Sequence, residues 1–181
     1  MPGPAPRARS NGARGFSLIE LLAAVAIIGI VSAMALPMLL RARMAGNESS
    51  AIGTLRAVNS AEAAFAASAT TGGYAVQLSV LATACPGGSV GFISPDLAVD
   101  PSTKSGYTIT LEAGSAVLGP FDCHGSQTRM GYYLTAAPLS IGRSGHRAFA
   151  TTNKYVLFFR PDGIPPTEAE MDPSGGGVVL Q

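Results

Sequence analysis

Glu20 is the residue whose position most demands a chemical reason. It is the first acid in the chain and is followed by twenty uncharged residues, Leu21 to Leu40, LLAAVAIIGIVSAMALPMLL. A charged side chain at the centre of a membrane helix costs ~2.5–3.5 kcal/mol on insertion scales and less near an end, so acids there tend to mark a function or a partner. The other groups able to do chemistry are few. Cys85 and Cys123 both lie beyond the apolar run and share whichever compartment receives the C-terminal part. In an oxidising compartment they can pair, closing a loop that stabilises by ~3–4 kcal/mol on the chain-entropy model; the alternative is two reduced, unrelated thiols.

The only histidines are His124 and His146, so a metal site would have to draw on Asp122, Cys123 and His124, three adjacent residues that do not easily converge on one ion. No metal and no cofactor are expected. Gly87–Gly88–Ser89–Val90–Gly91 lacks the lysine of a phosphate-binding loop, and no serine sits in a nucleophile elbow. The chain offers no catalytic constellation and is not expected to be an enzyme. Asn47–Glu48–Ser49 fits a glycosylation sequon, a three-residue pattern that arises often by chance.

The elements that must position these groups follow from composition and periodicity. The chain has 181 residues, 47% hydrophobic and 13% charged, and the apolar excess is concentrated in one block. One domain with appendages fits that length. Arg7, Arg9 and Arg14 precede the block, and from residue 16 onward nine basic residues face eleven acidic ones, a net of −2. A body so close to neutral carries no basic footprint for nucleic acid. Residues 1–15, rich in Pro, Gly and Arg, read as a leader. At ~1.5 Å per residue, the helix of residues 21–40 matches a ~30 Å hydrocarbon core. Arg41 and Arg43 follow directly, as at a membrane exit, and three arginines before the span against two after it favour a cytoplasmic N-terminus only by a narrow margin.

Beyond the span, Ile52, Leu55, Val58 and Phe65 fall on one helical arc, so the helix is expected to continue to Thr70 and stop at Gly72–Gly73. Glu62 lies near that stripe, and its carboxylate is expected to reach water from an edge position. Residues 74–106 and 112–130 carry loop punctuation. Strands are expected at Tyr107–Leu111, Gly131–Ala137 and Lys154–Arg160, with a short fourth at Arg147–Ala150. Successive strands without intervening helices imply an antiparallel sheet over about 107–160. The tail 163–181 is expected to hold little regular structure. The fold class is therefore α+β: a long N-terminal helix over 16–70, half transmembrane and half amphipathic, packed on an antiparallel β-sheet within a domain spanning 71–181.

The string Arg14-Gly15-Phe16-Ser17-Leu18-Ile19-Glu20-Leu21-Leu22 resembles the class III leader junction of type IV pilins and of the pseudopilins of type II secretion. The resemblance implies that a prepilin peptidase cuts after Gly15 and methylates the new N-terminal residue, Phe16. Glu20, one helical turn on, would then neutralise the charged amine of a neighbouring subunit and set the assembly register. Gly29 and Pro37 match family positions that bound a stretch able to lose helix in filaments, and a glycine and a proline weaken a helix on their own account; a merely kinked helix is the alternative. Cys85 and Cys123 resemble the paired cysteines of many pilins without matching a fixed spacing. Calcium-binding pseudopilins carry acidic Gly-rich loops, whereas Asp162, Glu168, Glu170 and Asp172 here are spread through a Pro-rich tail.

The implied role is a structural subunit of a type IV pilus or pilus-like filament. Its partners would be further pilin subunits, the peptidase, the bacterial inner membrane and the pilus assembly platform, with no nucleic acid. Before assembly it would be a single-pass inner-membrane protein with a cytoplasmic N-terminus, and afterwards part of a surface pilus or periplasmic pseudopilus. A pseudopilin or minor pilin of a type II secretion or DNA-uptake system is the second reading. A membrane-anchored periplasmic binding module that never polymerises is the third.

Overall fold

Ala51, Leu55, Val58, Ala61 and Phe65 recur at the three- and four-residue spacing of a helix face, and all five are buried. They belong to α1, Leu18–Ser68, a helix of 51 residues. The computed structural model describes residues 15–69, 72–171 and 178–180, and the chain divides into two units, residues 1–39 and 40–181. In the first unit, every described residue is exposed and the helix runs unbroken through Gly29. Pro37 also lies inside α1, where its missing N–H leaves the carbonyl of Ala33 without its usual donor. Among the described residues, this is the one helix long and apolar enough to cross a membrane. In the second unit, α1 ends at Ser68, short of the expected Thr70, which lies outside the described residues. Gly72, at φ +105°, donates its N–H back to the carbonyl of Ala66 at 3.2 Å, the left-handed closure that terminates a helix.

The sheet against which α1 packs has six antiparallel strands: β1 Ser102–Lys104, β2 Tyr107–Glu112, β5 Tyr133–Pro138, β6 Ala148–Thr152, β7 Leu157–Arg160 and β8 Val178–Val179, adjacent in that order. Between β2 and β5 the chain leaves to form a separate hairpin, β3 Leu118–Phe121 with β4 Gln127–Arg129. The expected strands at 107–111, 131–137 and 147–150 correspond to β2, β5 and β6. The one expected from Lys154 begins later, because Asn153 and Lys154 make the β6–β7 turn and Tyr155 takes φ +60° there. β2 alternates buried Tyr107, Ile109 and Leu111 with residues facing away, as a strand covered on one face requires.

Three stretches expected as loop or tail are more ordered than their punctuation suggests. Residues 74–106 hold α2, Leu78–Ala82, a 3-10 turn at Pro95–Leu97, and β1. α2 exists because Leu78 and Leu81, one turn apart, are fully buried, and because the distant carboxylate of Asp100 accepts the N–H of Leu78 at 2.9 Å. Residues 112–130 hold the β3–β4 hairpin, and Val178–Val179 of the tail pair with Phe158 and Phe159 at the sheet edge.

Candidate processing and assembly site

Residues 15–17 precede the first turn of α1, and the helix is opened by Ser17, whose carbonyl accepts the N–H of Glu20 at 3.1 Å and of Leu21 at 3.2 Å. Gly15 and Phe16 therefore lie in non-helical, exposed backbone, with the Phe16 ring 81% exposed. A Cβ built on Gly15 would meet nothing within 4 Å. Nothing in the described part of the fold crowds position 15 so as to require a glycine there. Glu20 sits in the first turn, where a carboxylate complements the helix dipole, and it is exposed along with all of 15–42. Gly15 and Phe16 thus lie just before α1 and Glu20 in its first turn, and the apolar flank of the helix that follows has no covering in the single chain. Residues 1–14, which hold the basic part of the leader, lie outside the described residues.

Residues 10–36 match the prokaryotic N-terminal methylation motif. The motif covers the end of the basic leader, Gly15, Phe16, Glu20 and Gly29, and stops one residue before Pro37. The chain carries a class III, type IV pilin-like leader, and its long helix followed by an antiparallel sheet is a pilin-like α+β architecture. The motif implies processing by a prepilin peptidase and assembly into pilus-like filaments from a membrane-anchored precursor. No curated protein and no solved structure matches the chain.

The packed half of α1 is fixed to the sheet by polar contacts as well as apolar ones. Glu48 accepts the N–H groups of His146 at 2.9 Å and Arg147 at 3.2 Å on one oxygen, while its other oxygen takes Nε and Nη2 of Arg147, each at 2.8 Å. Burial alone would raise the Glu48 carboxyl, but these donors and the guanidinium outweigh it and hold the group below its ordinary 4.5. Asn59 ties α1 to β6 and to the residue just before β5: its Oδ1 accepts the Tyr132 hydroxyl at 2.9 Å and its Nδ2 donates to Thr151 Oγ1 at 3.2 Å.

Glu62 corrects the sequence expectation. Rather than reaching water, it has no exposed surface; one oxygen accepts the N–H of Ala75 at 2.9 Å and the other has no partner. Burial pushes its carboxyl up to about 8, against the Ala75 hydrogen bond that works the other way. The carboxyl serves the first residues after the helix stop, a need that periodicity does not reveal.

Cys85 and Cys123 are joined in a disulfide, so of the two readings left open by the sequence it is the bonded one that holds. Asp122 caps its own turn, accepting the N–H of His124 at 2.9 Å and of Ser126 at 2.7 Å, and His124 Nε2 lies 3.0 Å from the carbonyl of Ala84. These three adjacent residues are thus occupied in holding the stapled loop. Asn47, the sequon residue, donates its amide to the carbonyl of Ser144 at 2.9 Å. Arg160 takes up both Asp162 at 2.5 Å and Glu170 at 3.0 Å in the acidic tail.

Proposed function

We propose that this protein is a structural subunit of a type IV pilus or pilus-like filament. The observation that carries the reading is the methylation motif leading into a helix with an uncovered apolar surface. On this reading the precursor is held in the inner membrane by residues 21–40 with its leader in the cytoplasm. A prepilin peptidase cuts after Gly15 in the exposed non-helical stretch and methylates Phe16. The carboxylate of Glu20 then neutralises the charged Phe16 amine of a neighbouring subunit, because an uncompensated carboxylate in lipid is costly and the pairing relieves that cost only in one register. The surface of residues 16–42 exchanges lipid for other helices as the filament grows, and the stretch bounded by Gly29 and Pro37 is where helix would be lost on assembly. Such a subunit has a structural role, not an enzymatic one.

Intact mass and N-terminal sequencing of the protein from its native membrane and from sheared surface filaments test this directly. A methylated Phe16 terminus in sheared material is the expected result. Chains that still begin upstream of Gly15 in both fractions would overturn the reading. A Glu20→Ala variant that is processed normally and yet assembles as well as the parent would remove Glu20 from the mechanism.

A further inference from the structure

We propose that a cationic cleft at the membrane-proximal end of the globular unit binds the phosphate headgroup of an anionic phospholipid. The cleft, of about 630 Å³, is lined by Leu40, Arg43, Asn47, Ser140, Arg143 and Ser144. The proposal rests on the reading that residues 21–40 cross a bilayer.

The cleft is preformed. Arg43 and Asn47 stand one turn apart on the same face of α1, and Asn47 ties that face to the loop of residues 139–146 through the carbonyl of Ser144. The loop is closed on itself: Ser144 Oγ accepts the N–H of Ser140 and donates to its carbonyl, both at 3.0 Å, and the N–H groups of Arg143 and Ser144 return to that same carbonyl at 3.1 and 2.9 Å. Gly106 packs so tightly beneath it that a Cβ there would come within 2.9 Å of the Ser144 side chain. Little order has to be gained on binding.

The cleft's charge is uncompensated. Arg43 and Arg143 are both exposed, and the ion pairs among the described residues use Lys104, Arg147 and Arg160 instead. Glu48, the acid packed against this end of the helix, is already spent on Arg147 and on the N–H groups of His146 and Arg147. Over residues 40–181 nine basic residues face ten acidic ones, so two uncompensated arginines in one cleft are a local departure from the average of the unit. Two guanidinium groups are a donor set that a phosphate takes, and the Ser144 hydroxyl, whose proton goes to the Ser140 carbonyl, serves the loop instead.

Depth selects a lipid over a soluble phosphate. At ~1.5 Å per residue, Arg43 lies about 5 Å past Leu40, the last residue of the apolar span, within a headgroup layer that adds about 5–8 Å to each side of the hydrocarbon core, and Asn47, at about 10 Å, lies just beyond that layer. Leu139 and Ile141, 58% and 57% exposed, precede Arg143 on the same loop and have apolar surface to give to the interface.

The chain contains no tryptophan, so single-tryptophan variants of the full-length protein in lipid vesicles report on one position at a time. In vesicles of phosphatidylcholine with phosphatidylglycerol, brominated phosphatidylglycerol should quench Leu139→Trp more strongly than brominated phosphatidylcholine does at equal mole fraction. Arg43→Gln and Arg143→Gln in that background should each reduce the preference by about fivefold, and the lysine replacements should retain much of it. Absence of a preference, its persistence in the double glutamine variant, or its loss to inorganic phosphate at constant ionic strength would each overturn the proposal. Met34→Trp, within the span, separates the two levels. If it is quenched while Leu139→Trp is not, only the headgroup site fails; if neither is quenched, the membrane reading fails with it.

Discussion

Glu62 has its carboxyl in the core of the second unit with a donor for one oxygen and none for the other. The titratable groups around it are the phenols of Tyr132 and Tyr155, with Tyr74 next to both, and no cation faces it among the groups that shift with it. Its folded value of about 8 lies above the ordinary 4.5, so between these the unfolded chain loses a proton that the folded chain retains. Stability contributed by the protonated form is complete below about pH 4.5 and drains away as pH rises towards about 8. Thermal unfolding followed by circular dichroism should therefore show the melting temperature falling over that window. Glu62→Gln, which keeps an acceptor for Ala75, should flatten the fall and gain about 1–3 kcal/mol at its upper end. A parallel fall in parent and variant would remove Glu62 from the account. The motif over residues 10–36 was legible because it is contiguous in the chain and needs only to be counted. Glu62 was misread because its partner, the N–H of Ala75, becomes its neighbour only once Gly72 has turned the chain.

At the scale of elements, α1 and strands β2, β5 and β6 were readable because each writes its own pattern: a long uncharged run, a helical stripe, or a short β-branched and aromatic segment. α2, β1, the β3–β4 hairpin and β8 were not, because each is only two to five residues long and borrows its order from distant partners. β3 even contains Gly119 and Pro120, residues that lower strand propensity and are tolerated at a hairpin edge. Gly29 raises the opposite question, since a Cβ there would meet nothing within 4 Å and the helix is continuous around it. Gly29→Ala should strengthen the helix of the single subunit by about 0.5–1 kcal/mol. Amide exchange of residues near 25–33 in micelles should slow accordingly. If helix must be lost there on assembly, the same variant should lower filament yield; unchanged yield would show that no such loss takes place.

For the molecule as a whole, the Cys85–Cys123 bond staples the α2 segment to the β3–β4 hairpin across a sequence separation of 38. Removing it should cost ~3–4 kcal/mol, read as a lower denaturant midpoint for the Cys85→Ser, Cys123→Ser double variant or for the parent under reductant. Equal midpoints would mean the bond adds nothing to equilibrium stability. The arrangement of Glu48 also has a mechanical meaning. If the proposed function holds, a subunit drawn out of a bilayer, or held in a stretched fibre, bears tension along α1, and Asn47 and Glu48 stand at the leading end of the half that packs on the sheet. The carboxylate–guanidinium clasp with Arg147 is thus among the first fastenings to take the load, with the two N–H groups at 146 and 147 backing it. In single-molecule pulling from the N-terminal side, Glu48→Gln should lower the rupture force of the helix from the sheet. The fold at rest treats this contact as one of many, whereas the fold under strain depends on it first.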